Sequence, residues 1–473
     1  MKLQTETNSS IAFDEDFETH SLSKEMSTFD SVCMVVGSVV GSGIFVSPAR
    51  VFELLYQSPL FSLLAWLVAA FISLAGGLCY SELGCLFPKA GAEYQYLKNG
   101  FGKFWGFLFA WTQLMVLGTG SIAIMALVSA NYLVGVLFPS YNQADWLSKV
   151  TASLLILVLT LINCLGIRSG SSIQNTLTLI KVSGIVFLLV LGLMHWPQLN
   201  INALGSLGFL NSSNSTDFLH LCFKFGSAMI ACLWAFDGWN NLSRVTEESV
   251  NVQKTLPVGL LGGIAIATLL YLGLNALYFT VLSPQEMMSS KTVAISVVQR
   301  MSQTSNWIQS FGIVSLIGIL ISLSAGGACN GSLLSGARIY FAGARDKLFF
   351  SAFGQIDSKS KAPVTSLIIQ AAWSVGLVWL GKNFETLLDY FSFSAWLFYG
   401  ACAYILIKLR RGQPHLSRPY KVALYPFTPL LFLLGEGFLV SSQIVNSPIP
   451  SLWSLIGVLS GVLVYPLINL SRE

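Results

Sequence analysis

The sequence predicts an all-α polytopic membrane protein with twelve transmembrane helices, and three observations carry that expectation. Of 473 residues, 54 % are apolar and only 10 % charged, against roughly 25 % charged in an ordinary soluble domain, too few to cover a water-facing surface. Uncharged segments recur, among them 61–80, 150–167, 258–282 and 364–381; about 20 such residues match the hydrocarbon thickness of a bilayer. Two of the apolar runs are broken near their middles by small and polar residues. Membrane helices keep such breaks only where they face protein or a wet cavity.

Taken in order, residues 1–28 are polar and acidic, with Asp14, Glu15, Asp16 and Glu18 close together. Without a hydrophobic core this opening is no cleavable signal peptide; it reads as a disordered cytosolic tail or a short regulatory helix. Hydropathy then places spans at 29–56, 61–86, 103–137, 150–167, 173–194, 218–243, 256–282, 308–344, 364–381, 385–409, 424–442 and 452–470. An even number puts both termini on one side. Assigning that side to the cytosol leaves 19 Lys and Arg residues in or near cytosolic loops and five outside: Arg50, Lys149, Lys291, Arg300 and Lys382. The positive-inside bias sets this orientation, in a cell membrane. Loops are short, so function must lie within the bilayer.

The first break is GSVVGSGIF, residues 37–45, and the second is AFDGWNN, residues 235–241. Interior glycines cost a helix roughly 0.5–1 kcal/mol each relative to alanine, and serines offer competing hydrogen bonds. Spans 1 and 6 hold matching places if spans 1–5 and 6–10 are two halves, and interrupted segments at corresponding positions of an inverted repeat point to a transporter's binding site. Freed N–H groups at Ser42 and Gly43, at the positive end of the second half-helix, would attract a carboxylate. Freed carbonyls around Val39 and near Trp234 and Asp237 would attract an ammonium group. Opposite poles this close suit a zwitterion, so the expected ligand is an α-amino acid gripped by its backbone. A plain small-residue packing patch is the other reading of the glycines.

These stretches also carry a resemblance. GSVVGSGIFVSP, YSELGCLFPKAGAEYQYL (80–97), LWAFDGWNNLSRVTEE (233–248) and GGACNGSLLSGARIYFAGARDKL (326–348) together resemble the L-type amino-acid transporter family of the amino acid, polyamine and organocation superfamily, nearest the light subunits that exchange neutral and dibasic amino acids. The resemblance implies a LeuT-type fold: a core over 29–409, helices 1–10 as a 5+5 inverted repeat with helices 1 and 6 broken, and peripheral helices 11 and 12 over 410–473. It implies that Ser42 and Gly43 hold the carboxylate by backbone N–H, that Gly41 permits the turn, and that Asn240 assists. Carbonyls of Val39, Trp234 and Asp237 would hold the amine, with the Trp234 ring as a gate; Gly238 lies in the same break, and Phe236 could line the pocket or simply pack. Lys181 of span 5 would stand where sodium-coupled relatives bind sodium, making exchange sodium-independent. Animal light subunits carry a cysteine between helices 3 and 4 for a heavy subunit; residues 141–149 have none, so no disulfide-linked heavy subunit is expected of this free-standing, prokaryotic-type relative.

Charges and other classes complete the reading. Asp237, in the middle of a span, faces the pocket to attract a cationic side chain or caps the half-helix that follows; a proton-carrying role is the third possibility. Lys181 could instead snorkel to the surface. Glu82, Glu93, Glu247, Arg338 and Arg345, at cytosolic helix ends, suit ion pairs that lock one conformation. Trp239 and Tyr340 could line the pocket or simply pack. The eight cysteines lie in apolar segments without metal spacing and read as small buried hydrophobes. No nucleophile with a base, paired carboxylates, metal set or phosphate loop is legible, so neither an enzyme, a cofactor, a metal nor nucleic acid is expected. Proton-coupled uptake, a channel and a non-transporting sensor are the other functional readings.

Overall fold

The computed structural model describes residues 22–138, 145–195, 199–205, 218–290, 292–303, 312–380 and 384–470. Among them the chain is helical, with one isolated bridge between Met26 and Ser249. Span 1 is a pair of helices, α1 (Thr28–Val39) and α2 (Gly43–Leu54), bent by 46° at the break. Ser27 and Asp30 start α1 with a reciprocal capping box, which satisfies donors the helix itself leaves open. Span 2 is α3 (Pro59–Leu86), and a short polar helix, α4 (Glu93–Phe101), follows it. Span 3 runs as α5 (Lys103–Thr112), a π-helical turn (Gln113–Leu117) and α6 (Gly118–Leu137).

Spans 4 and 5 are α7 (Asp145–Cys164) and α8 (Ile167–Met194). Span 6 is α9 (Phe218–Phe236), then an open turn over 237–240 and the single turn α10 (Asn241–Arg244). Span 7 is α11 (Val252–Val281), followed by the short helices α12 (Pro284–Ser289) and α13 (Val293–Ser302). Spans 8 to 12 are α14 (Ile313–Arg345), α15 (Val364–Leu380), α16 (Phe384–Gly412), α17 (Phe427–Asn446) and α18 (Pro448–Leu470). Eight of these helices are long and apolar enough to cross a membrane, and the bent pair makes a ninth. With α9, α15 and α16 the order matches the twelve expected spans.

The packing carries the repeat. Spans 1 to 4 each lie along the span five places later: α2 on α9, α3 on α11, α6 on α14 and α7 on α15. An inverted five-plus-five repeat produces this pairing. Depth follows the same plan, with 72 % of the apolar window buried in α14 and 22 % in α18.

Boundaries move where charge is compatible with helix. Span 4 begins at Asp145 rather than residue 150, because Asp145 and Lys149 pair at 2.9 Å one turn apart. Residues 22–28, expected in the tail, are instead docked. Leu22 and Met26 are buried, the N–H groups of Glu25 and Met26 donate to the Glu248 carbonyl at 3.0 and 2.9 Å, and Val250 N–H donates to Met26 at 3.1 Å. Residues 1–21 lie outside the described residues. Cys33, Cys79, Cys85, Cys232, Cys329 and Cys402 are buried thiols, and Cys164 and Cys222 are partly so.

Candidate functional site

The site forms where the two breaks meet. At the end of α1 the Gly41 N–H folds back on the Val39 carbonyl at 2.7 Å, after Val40 N–H has reached Val36 at 2.8 Å. Regular helix stops there and resumes at Gly43, whose first-turn N–H groups have no upstream helical carbonyl and mark the positive end of the α2 dipole. A Cβ on Gly43 would lie 2.7 Å from the Ala235 Cβ, so only glycine lets the start of α2 touch the end of α9. Gly238 has φ +98°, and its Cβ would meet Ser38 at 3.2 Å; this left-handed backbone also requires glycine. The breaks therefore touch twice.

Two side chains tie the breaks together. The Tyr271 hydroxyl, from α11, stands 2.8 Å from the Val39 carbonyl and 2.7 Å from that of Ala235. A single hydroxyl proton serves one of them at a time. Lys181, from α8, is fully buried and donates to the carbonyls of Gly37, Val40 and Ser324 at 2.7, 2.8 and 2.9 Å. These carbonyls, two at the bend and one on α14, match the three protons of an ammonium group, so the lysine reaches inward and does not snorkel. Ser324 adds its hydroxyl to the Val40 carbonyl at 2.8 Å.

Between the breaks, α5–α6, α14 and α16, a cavity is lined by Val39, Gly41, Gly43, Trp234, Asp237, Gly238 and Asn240, with Gln113, Met125, Ser332 and Tyr399. Asp237 is half-buried and accepts from the Tyr399 hydroxyl at 2.9 Å. Asn240 donates to Glu93 at 2.5 Å and to Tyr399 at 3.0 Å. Glu93 is held by Arg244 through two hydrogen bonds of 3.1 Å, and Arg244 reaches Asn241 at 2.9 Å. One buried chain of polar groups thus runs from Asp237 to the α10 turn.

Several expected site residues sit differently. The Ser42 hydroxyl points to the Met125 sulfur at 3.8 Å. Phe236 turns away and packs its ring 4.9 Å from Tyr271 and 6.2 Å from Trp66. Trp239 packs edge-to-face between Tyr80 and Phe432, and Tyr340 lies beside Phe349. The side chain of Asn240 is occupied by Glu93 rather than left open to a ligand. Asp237 caps no long half-helix, because only the one turn of α10 follows. The charges expected at cytosolic helix ends do pair: Glu82 with Arg410 and Arg418, Glu93 with Arg244, Arg338 with Glu248, and Arg345 with Glu247.

A family model described as amino acid permease matches residues 26–466. The chain belongs to the amino acid permease family. It is similar to the mouse b(0,+)-type amino acid transporter 1, with 31 % identity over 451 residues, 95 % of this chain and 89 % of that protein. It is also similar to the human large neutral amino acids transporter small subunit 2, with 32 % identity over 452 residues, 94 % of this chain and 80 % of the relative. In this amino acid permease, Tyr399 and Gln113 line the space and Tyr271 and Ser324 bond the broken backbone; none of the four was singled out from the sequence. A hydroxyl or amide within an apolar helix carries no signal of which way it faces. For Gln113 the π-helical turn, common at functional sites, is the structural signal.

Proposed function

We propose that this permease is a sodium-independent exchanger of neutral and cationic L-amino acids, working by alternating access in a cell membrane with both termini cytoplasmic. The amino acid lies between the breaks. Backbone N–H groups of Ser42 and Gly43 take its carboxylate, while carbonyls of Val39, Trp234 and Asp237 take its ammonium group. Gly41 and Gly238 give the backbone room, and the Trp234 ring closes over the ligand. The observation that carries this reading is the double contact of the breaks, Gly43 on Ala235 and Gly238 on Ser38, which sets a helix N-terminus opposite helix-end carbonyls. The Asp237 carboxylate, open to the cavity, accepts the side chain of lysine, arginine or ornithine. Lys181 supplies at the bend the fixed positive charge that would otherwise require an ion. No disulfide-linked heavy subunit is needed.

Counterflow in proteoliposomes tests the proposal. Vesicles preloaded with unlabelled alanine or arginine should accelerate entry of either labelled amino acid, equally in sodium and in choline. Asp237→Asn should lower arginine entry about tenfold while alanine entry falls less, as loss of a charged hydrogen-bonding partner removes about 1.5–3 kcal/mol. Entry that requires sodium, or that ignores internal amino acid, overturns it.

A further inference from the structure

Glu436 is a carboxyl that the proposed site leaves unused. It lies midway along α17, on the face shared with Phe432 and Leu439, is 2 % exposed, and its Oε2 has no hydrogen-bond partner. A carboxylate charge there is costly unless it is paired or protonated. The helices packed on α17 are α3, α9, α16 and α18. From α16 come the Tyr399 hydroxyl and the Cys402 thiol, and from α3 come Tyr80 and Cys79; Glu82 on α3 is taken by Arg410 and Arg418. On α9, Cys232 is a buried thiol and Lys224 sits 4.6 Å over the Tyr56 ring. Beyond α9, Arg244 is bound to Glu93. On α18 the described titratable side chain is Tyr465, whose ring packs on Phe104 and Phe107 of α5. Among the described residues no salt bridge reaches Glu436.

The geometry brings the two carboxyls to neighbouring positions of α16. α16 and α17 cross where a Cβ on Gly400 would lie 3.4 Å from the Glu436 Cβ. One residue away, Tyr399 donates to Asp237 Oδ1 at 2.9 Å. Two carboxyls on one path of packed side chains, neither of them in a salt bridge, resist ionising together and titrate as a pair. We infer that Asp237 and Glu436 form a carboxyl couple that holds one proton when the site is empty or carries a neutral amino acid, and releases it when a cationic side chain enters beside Asp237. The proton leaves to whichever aqueous side the cavity then faces, so pH sets the choice between neutral and cationic substrates. This rests on the amino-acid site proposed above.

Proton release is measured with an indicator dye on the purified full-length protein in weak buffer, adding alanine or arginine. Arginine should release close to one proton per protein, and alanine none. Because one proton is exchanged, arginine affinity relative to alanine should rise with pH by at most about tenfold per unit, and Glu436→Gln should flatten that rise to less than about twofold. Glu436→Asp should restore it. Arginine that binds without releasing a proton overturns the couple while leaving the amino-acid site standing; absence of binding by both amino acids removes the site itself. Release that persists undiminished in Glu436→Gln overturns the part assigned to Glu436. Should that variant not fold, the wild-type proton count and the Glu436→Asp profile decide.

Discussion

Lys181 shows how a residue legible in the sequence acquires its meaning only in space. A lone lysine in an apolar span stands out in any hydropathy scan, but the scan does not say whether it reaches the membrane surface. Its ammonium group touches the Gly37, Val40 and Ser324 carbonyls instead. Lys181→Met keeps the volume and removes the donor, leaving buried acceptors unpaired at a cost of about 1–3 kcal/mol for each group left bare. The expected result is a melting temperature several degrees lower and exchange reduced more than about tenfold, with no gain from sodium removal. A variant as stable and active as the wild type, read by thermal unfolding and counterflow, would show that the bend does not depend on this cation. Asp237 was legible for the same reason, as a charge where charge is rare, whereas Tyr399 and Tyr271 were not. Aromatic residues in a helical bundle mostly pack, and nothing local marks the ones whose hydroxyls meet a carboxylate or two broken ends.

At the scale of elements, the broken helices were readable because glycine pairs and Asp-Gly interrupt otherwise uniform apolar runs. The depth and order of the breaks followed from hydropathy alone. What hydropathy could not supply was the length of the second half of span 6, which is one turn rather than a half-helix, or the helices α4, α12 and α13. These are too short or too polar to register as spans, and α12 rests on a Ser283–Glu286 capping box that is visible only once its neighbours are known to be a loop. The contact between breaks makes a reciprocal prediction. Gly43→Ala places a methyl group 2.7 Å from that of Ala235, and overpacking of this kind costs about 1–3 kcal/mol. Exchange should fall by about tenfold or more, since the methyl wedges the two dipole ends apart. Adding Ala235→Gly should recover part of the loss, giving a coupling energy above about 0.5 kcal/mol in a double-mutant cycle. Purely additive effects would mean that the breaks do not work as one unit.

For the whole molecule, one short turn, Thr246–Glu248, gathers distant parts of the chain on the side assigned to the cytosol. Glu248 receives Arg338 at 2.8 and 3.1 Å with both side chains almost wholly buried, and its carbonyl takes the N–H groups of Glu25 and Met26. Glu247 receives Arg345 at 2.6 and 2.7 Å and the Ala90 N–H at 2.9 Å. If the cavity opens toward this side by parting α14 from that turn, the pairs are what must break. Arg338→Ala strands the Glu248 charge, and removing one partner of a buried pair costs about 3–5 kcal/mol. A cysteine at Ser332, which lines the cavity, should then be labelled at least about tenfold faster from the cytosolic side, in a background lacking Cys164 and Cys222. The second pair makes a prediction about pH. Burial pushes the Glu247 carboxyl up, but the hydrogen bonds and charge of Arg345 and the Ala90 N–H outweigh it and leave the group below its ordinary value of 4.5. A carboxylate depressed in the folded state lends stability that is complete above the unfolded value and disappears as pH falls through the folded one. The contribution of this pair to the melting temperature should therefore be constant from about pH 8 to about pH 5 and decline only below about 4.5. Arg345→Gln should lower stability at neutral pH and flatten that acid decline. An unchanged decline would mean that other carboxylates, and not this latch, set the acid limit of the closed form.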